Sequence, residues 1–148
     1  IFSSDYQWHT IAKVWRTPIL GELSWLLFTQ ASFVAVMQQQ NPRLTKAQIV
    51  DIYGRITPAM QRMVLRFYRA ADTDKFQGWE DELAVVLQEK SALVLWGDRD
   101  PYIPVRFADS FGAQQVKHRP DGGHWLMLEA PAWVAEELTN LFIAAPFP

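Results

Sequence analysis

Asp100 and His124 are the residues of this chain whose type and setting best suit chemistry. Each lies in a Gly- and Pro-rich loop. The first loop reads Gly97-Asp98-Arg99-Asp100-Pro101-Tyr102-Ile103-Pro104. The second reads Pro120-Asp121-Gly122-Gly123-His124-Trp125, with Leu128-Glu129-Ala130-Pro131 just after it. A carboxylate on one ring nitrogen of a histidine fixes its tautomer and stabilises the imidazolium. The other nitrogen can then take a proton from a nucleophile or from water.

Plainer roles compete for the same residues. An Asp in such a turn commonly bonds nearby backbone, and that role is assigned to Asp98. Asp100, followed by a Gly-His loop, is assigned the acid's role. His9 on a helix and His118 in a strand read as structural. Glu129 is expected to support the start of the last helix, where a carboxylate is favourable. Trp125 either lines a pocket beside His124 or packs the base of that helix.

Two unlike halves must position these loops. Residues 1–89 read as helices. Trp8, Ile11, Ala12 and Trp15 share one helical face, and Arg16-Thr17-Pro18 ends it. Further helices are expected from about Leu20 to Phe28, from Phe33 to Gln39, and after Thr45 as N-cap. Thr57-Pro58 starts the next, with Met60, Met63, Val64, Phe67 and Tyr68 along its stripe. Asp72-Thr73-Asp74 reads as a loop, and Trp79, Leu83, Val86 and Leu87 mark the last helix of this half.

Residues 90–148 change rhythm. Ala92-Leu93-Val94-Leu95-Trp96 is a continuous apolar run, as in a parallel strand covered on both faces. A short helix is expected from Val105 to Phe111, ended by Gly112, then a strand from Gln115 to Arg119. A closing helix starts near Pro131, with Val134, Leu138, Leu141 and Phe142 on one face. The fold class is therefore α/β, with a helical segment ahead of a β-α-β-α unit of parallel sheet. In such sheets ligands meet the chain beyond the carboxyl ends of strands, where both loops fall. Two parallel strands cannot cover an all-apolar member, so further strands are expected from elsewhere.

Composition removes several classes. The 148 residues are 49% hydrophobic and 20% charged, which suits a folded domain. Fourteen Lys and Arg against sixteen Asp and Glu give a net charge of −2, no footprint for nucleic acid. With no cysteine, disulfides, zinc-thiolate sites and cysteine nucleophiles drop out. No metal site or cofactor is expected. No apolar run reaches the roughly 18 residues of a membrane span, and residues 1–5 do not resemble a signal peptide. A cytoplasmic protein is expected. The seven Trp read mostly as helix-packing core. The first residue is not Met, so the chain is expected to be part of a longer polypeptide.

The run Leu93 to Pro101, then Gly123-His124-Trp125, then Glu129-Ala130-Pro131, resembles the C-terminal portion of α/β-hydrolase fold enzymes. The likeness covers roughly residues 91–143. It is nearest to the branch with haloalkane dehalogenases, epoxide hydrolases and C–C bond hydrolases. The order acid then histidine matches that family's order. In the family pattern Gly-x-x-Asp the matching acid is Asp100, and the matching histidine is His124. The resemblance implies that residues 1–89 form a cap and 90–148 part of the core. It also implies a cofactor-free hydrolase acting on a small apolar or amphipathic substrate. Tyrosines of the cap polarise an epoxide oxygen in the epoxide-hydrolase relatives; Tyr6, Tyr53, Tyr68 and Tyr102 are named on that ground and none is singled out for that role. Tyr102 and Trp125 are the candidates for touching substrate.

One part of the pattern is missing. A nucleophile elbow needs two glycines four apart around a Ser or Asp. The glycines stand at 21, 54, 78, 97, 112, 122 and 123, and no two are so spaced. The nucleophile is expected upstream of Ile1, and this chain alone is expected to be inactive. A different class of reading remains open: a non-catalytic interaction module that assembles with another chain through its strand edge.

Overall fold

A computed structural model describes residues 6–76 and 78–144, with backbone only at 73, 74 and 80. The order is α1 (Thr10–Arg16), α2 (Leu20–Leu26), α3 (Gln30–Gln40), α4 (Lys46–Gly54), α5 (Pro58–Ala70), α6 (Trp79–Glu89), β1 (Leu93–Gly97), β2 (Gln115–Arg119), α7 (Leu126–Glu129) and α8 (Pro131–Ala144). Most described residues are helical and the sheet has two parallel strands, an α/β chain in the general sense. The described residues form two compact units, 6–76 and 78–144.

The first unit holds α1 to α5. Helix starts follow their caps. Thr45 accepts from the Gln48 backbone N–H while the Gln48 side chain takes the Thr45 N–H, a reciprocal capping box. Thr57 caps α5 ahead of Pro58. α3 begins at Gln30, three residues before the expected start, because Thr29 caps it by accepting from Ser32 N–H. The core includes Ala12, Phe33, Val34, Met37, Leu44, Ile49 and Leu65. Aromatic rings link the helices: Trp15 stacks on Trp25 at 5.3 Å, and Trp25, Phe28, Phe33 and Tyr53 follow at 5.2–5.5 Å. The core reading of these aromatics fits that placement. A short 3-10 turn at Thr73–Phe76 stands where a loop was expected.

The second unit begins with α6, which the sequence pattern had counted with the helices of 1–89. Gln114 explains the grouping: its amide donates to Leu87 O at 3.0 Å and accepts from Ala92 N–H at 3.1 Å. One side chain thus ties the end of α6 to the start of β1. β1 and β2 pair in parallel from Leu93↔Gln115 to Gly97↔Arg119. The crossover between them is not the expected short helix. It forms two 3-10 turns, Val105–Phe107 and Asp109–Phe111. Within it Ser110 Oγ donates to Phe107 O at 2.8 Å. Gly112, at φ 71°, ends the segment as expected. α7 is a single turn, too short for any periodicity to announce.

Every apolar residue of β1 before Gly97 is only half-buried, and no residue of α8 is buried. Phe142 is 51% exposed and Ile143 74%. Among the described residues no single helix is long and apolar enough to cross a membrane; α2 and α3 pass that test only as a pair bent by 103°.

Candidate functional site

Parallel pairing places both loops at one end of the sheet. β1 ends at Gly97 opposite Arg119, the end of β2. The ladder then continues into the loops: Asp98 N–H donates to Arg119 O at 3.1 Å and Arg99 N–H to Gly122 O at 2.9 Å. Contact at Gly97 is closer than any side chain allows. A Cβ there would lie 2.2 Å from Gly123 O and 2.7 Å from Gly122 C. Glycine at 97 is what lets the acid loop lie against the histidine loop.

The result is a carboxylate–imidazole pair. Asp100 Oδ2 lies 2.8 Å from His124 Nδ1. Asp100 Oδ1 accepts from Tyr102 N–H at 2.7 Å and Ile103 N–H at 3.0 Å. One carboxylate therefore makes the local turn and reaches the histidine, so the plain and the chemical roles coexist in one residue. The Asp100 side chain is 9% exposed and that of His124 35%. Burial raises the Asp100 pKa. The hydrogen bonds from His124, Tyr102 and Ile103 outweigh it and hold the carboxyl below its ordinary 3.8.

A carboxylate at Nδ1 keeps the imidazole proton there and leaves Nε2 as the acceptor. Two aromatic rings lie edge-on to His124: Tyr102 at 4.8 Å and Trp125 at 5.5 Å. The structure thus brings Asp100, His124, Tyr102 and Trp125 together. Trp125 is half-buried, lies beside the His124 ring and sits at the N-cap of α7. Such a group can accept a proton at Nε2 beside an aromatic wall.

A second pair was not foreseen. His118 Nδ1 lies 2.8 Å from Asp98 Oδ1, and its Nε2 lies 3.5 Å from Asp109 Oδ1. Asp98 is therefore not a plain turn residue, nor is His118 a plain strand residue. The only warning was register: Trp96 pairs with His118, two residues before Asp98. With a carboxylate on each nitrogen, His118 has no atom left to act as a base. The Asp98 hydrogen bond, with Asp109 adding to it, outweighs burial and raises its pKa above the ordinary 6.5. A raised value means the pair's stabilisation is fully present below about pH 6.5 and lost as pH climbs through the folded-state value. Thermal unfolding followed from about pH 5 to 9 should show that loss, and His118→Gln should abolish it. A pH dependence that survives His118→Gln would place it elsewhere.

Glu129 does not reach the first turn of α8. It is the last residue of α7, and its carboxyl turns back to accept from Gly123 N–H at 2.7 Å and Trp125 N–H at 3.2 Å. His9 caps α1 through Nδ1, which accepts from Ala12 N–H at 3.4 Å. Among the described residues no group of three or more His, Asp or Glu is arranged to hold a metal ion. No protein-family model, no curated protein and no solved structure matches this chain.

Proposed function

We propose that this chain is the C-terminal part of a cofactor-free α/β-hydrolase, with His124 as its base and Asp100 orienting it. The observation that carries the reading is the 2.8 Å contact between them, made by loops that leave adjacent parallel strands at the same end. The order of acid and histidine along the chain agrees with the family's.

The nucleophile, a Ser or an Asp, would come from upstream of Ile1 or from a partner chain. With Ser, His124 Nε2 takes the hydroxyl proton as oxygen attacks the substrate, then returns it to the leaving group. With Asp, the carboxylate displaces the leaving group to form an ester. Nε2 then takes a proton from the water that cleaves it. Tyr102 and Trp125 would meet a small apolar or amphipathic substrate. Whether an ester, C–C, carbon–halogen or epoxide bond breaks follows from the nucleophile. The resemblance to the dehalogenase, epoxide-hydrolase and C–C hydrolase branch, and a cytoplasmic setting, belong to this proposal.

The surroundings support a missing complement. An all-apolar parallel strand wants cover on both faces and both edges. Among the described residues β1 has one strand partner, and α8 carries an apolar face with nothing buried. Additional strands of the same polypeptide would cover that edge and that face. The same open edge also favours the second reading, a non-catalytic module that assembles by strand addition.

Sequencing upstream of the Ile1 codon separates the two: an elbow motif supports the enzyme, a start codon just before Ile1 the module. In the full-length protein, His124→Ala should abolish hydrolysis of p-nitrophenyl esters or the true substrate. Unchanged turnover would remove His124 from the catalytic set.

A further inference from the structure

The structure assigns Glu129 as the positioning residue that sets the direction of the His124 ring, an inference that rests on the hydrolase reading for its catalytic consequence. One carboxyl group holds the histidine loop at two points. Oε1 accepts from Trp125 N–H at 3.2 Å, in the peptide that leaves His124, and Oε2 accepts from Gly123 N–H at 2.7 Å, in the Gly122–Gly123 peptide one residue before the one that enters it. Fixing the leaving peptide and anchoring the loop one residue before the entering one narrows the directions open to the His124 Cα–Cβ bond. Rotation about the side-chain bonds does the rest, and the Asp100 contact uses that freedom.

The local sequence makes room for this brace. A Cβ on Gly123 would lie 2.9 Å from Glu129 Oε1, so any other residue there would press on the carboxyl. The turn of α7 supplies the return path. Leu128 N–H and Glu129 N–H both donate to Trp125 O, at 2.8 and 2.9 Å, so the chain doubles back within four residues. A carboxylate at the last residue of a helix is unfavourable to the helix dipole. Its position therefore does nothing for the C-terminal end of α7, and both oxygens are spent on the histidine loop instead.

The rival is a brace for α7 alone, since Trp125 is that helix's N-cap. Stability measurements do not separate the two, but the imidazole does. The probe is the His124 Nδ1 proton and ring nitrogen resonances of the full chain, with Asp100→Asn as reference. A proton held between Nδ1 and a carboxylate gives a slowly exchanging, downfield signal, and Asp100→Asn should remove it. Glu129→Ala should remove or broaden it too. Glu129→Gln, which keeps one acceptor and the same shape, should retain a weakened signal; it serves as the decisive variant if Glu129→Ala does not fold. In the complete enzyme, Glu129→Ala should lower kcat about a hundredfold with KM nearly unchanged, the scale of a 1 Å misplacement. Signals identical to wild type in Glu129→Ala and Glu129→Gln, with Asp100→Asn still effective, would overturn the positioning role and leave the hydrolase reading intact. A signal that survives Asp100→Asn would strike at the pair itself, and with it that reading.

Discussion

Gly97→Ala is expected to lower the stability of the second unit by about 3 kcal/mol, the upper range for forcing a methyl into packed structure. A methyl on residue 97 would sit 2.2 Å from Gly123 O and 2.7 Å from Gly122 C and O. These neighbours are backbone, not the yielding end of a long side chain. They are also held: Gly122 N–H donates to Arg119 O, and Arg99 N–H donates to Gly122 O. Relief requires the two loops to move apart, which stretches the Asp100–His124 contact. Urea unfolding should report the lost stability, and loss of the His124 Nδ1 proton signal should report the separation. Gly54→Ala is the matched control. It makes the same chemical change at the end of α4 with nothing within 4 Å, so it should be neutral or stabilising by about 0.5–1 kcal/mol. Equal midpoints for Gly97→Ala and wild type would mean that the two loops are not in the contact described.

That close approach shows which parts of the molecule could be read from the chain. The dyad was legible because Asp100 and His124 lie in Gly- and Pro-rich loops after strand-like runs, and parallel strands carry such loops to one end. Caps were legible where a Thr stands three residues before a partner, as at Thr45, though Thr29 shows the same signal passing unnoticed. What escaped depends on relations no local pattern expresses. Asp98 meets His118 only because Trp96 is in register with His118. Gln114 joins α6 to β1 through one amide, so the helix leaves the group its pattern suggested. The segment 105–111, expected as one short helix, breaks into two 3-10 turns. Glu129 is a carboxylate near a helix start, which usually means support of that helix; its true targets are set by the tight return of α7.

Asp100→Asn should lower kcat of the complete hydrolase about 10⁴-fold, the scale seen when a catalytic histidine is left in the wrong tautomer. The structure removes the usual escape. An asparagine could keep the correct tautomer only by turning its carbonyl toward His124. Here Tyr102 N–H and Ile103 N–H already require an acceptor at the Oδ1 position, at 2.7 and 3.0 Å. They hold the amide oxygen there and aim the NH₂ group at His124 Nδ1. The ring must then accept at Nδ1 and carry its proton on Nε2, the atom that has to act as the base. Nitrogen NMR of the ring in this chain should show the tautomer switch directly, without any substrate. The acid side of the stability profile should change as well. A depressed Asp100 pKa gives stability that is present above about pH 4 and lost as pH falls through the folded-state value, and Asn cannot supply it. Asp98→Asn is the discriminating partner, because it disturbs His118 and leaves the His124 tautomer alone. If Asp98→Asn and Asp100→Asn cost the same in turnover, or if Asp100→Asn leaves the proton on Nδ1, orientation of His124 by Asp100 is not how this site works.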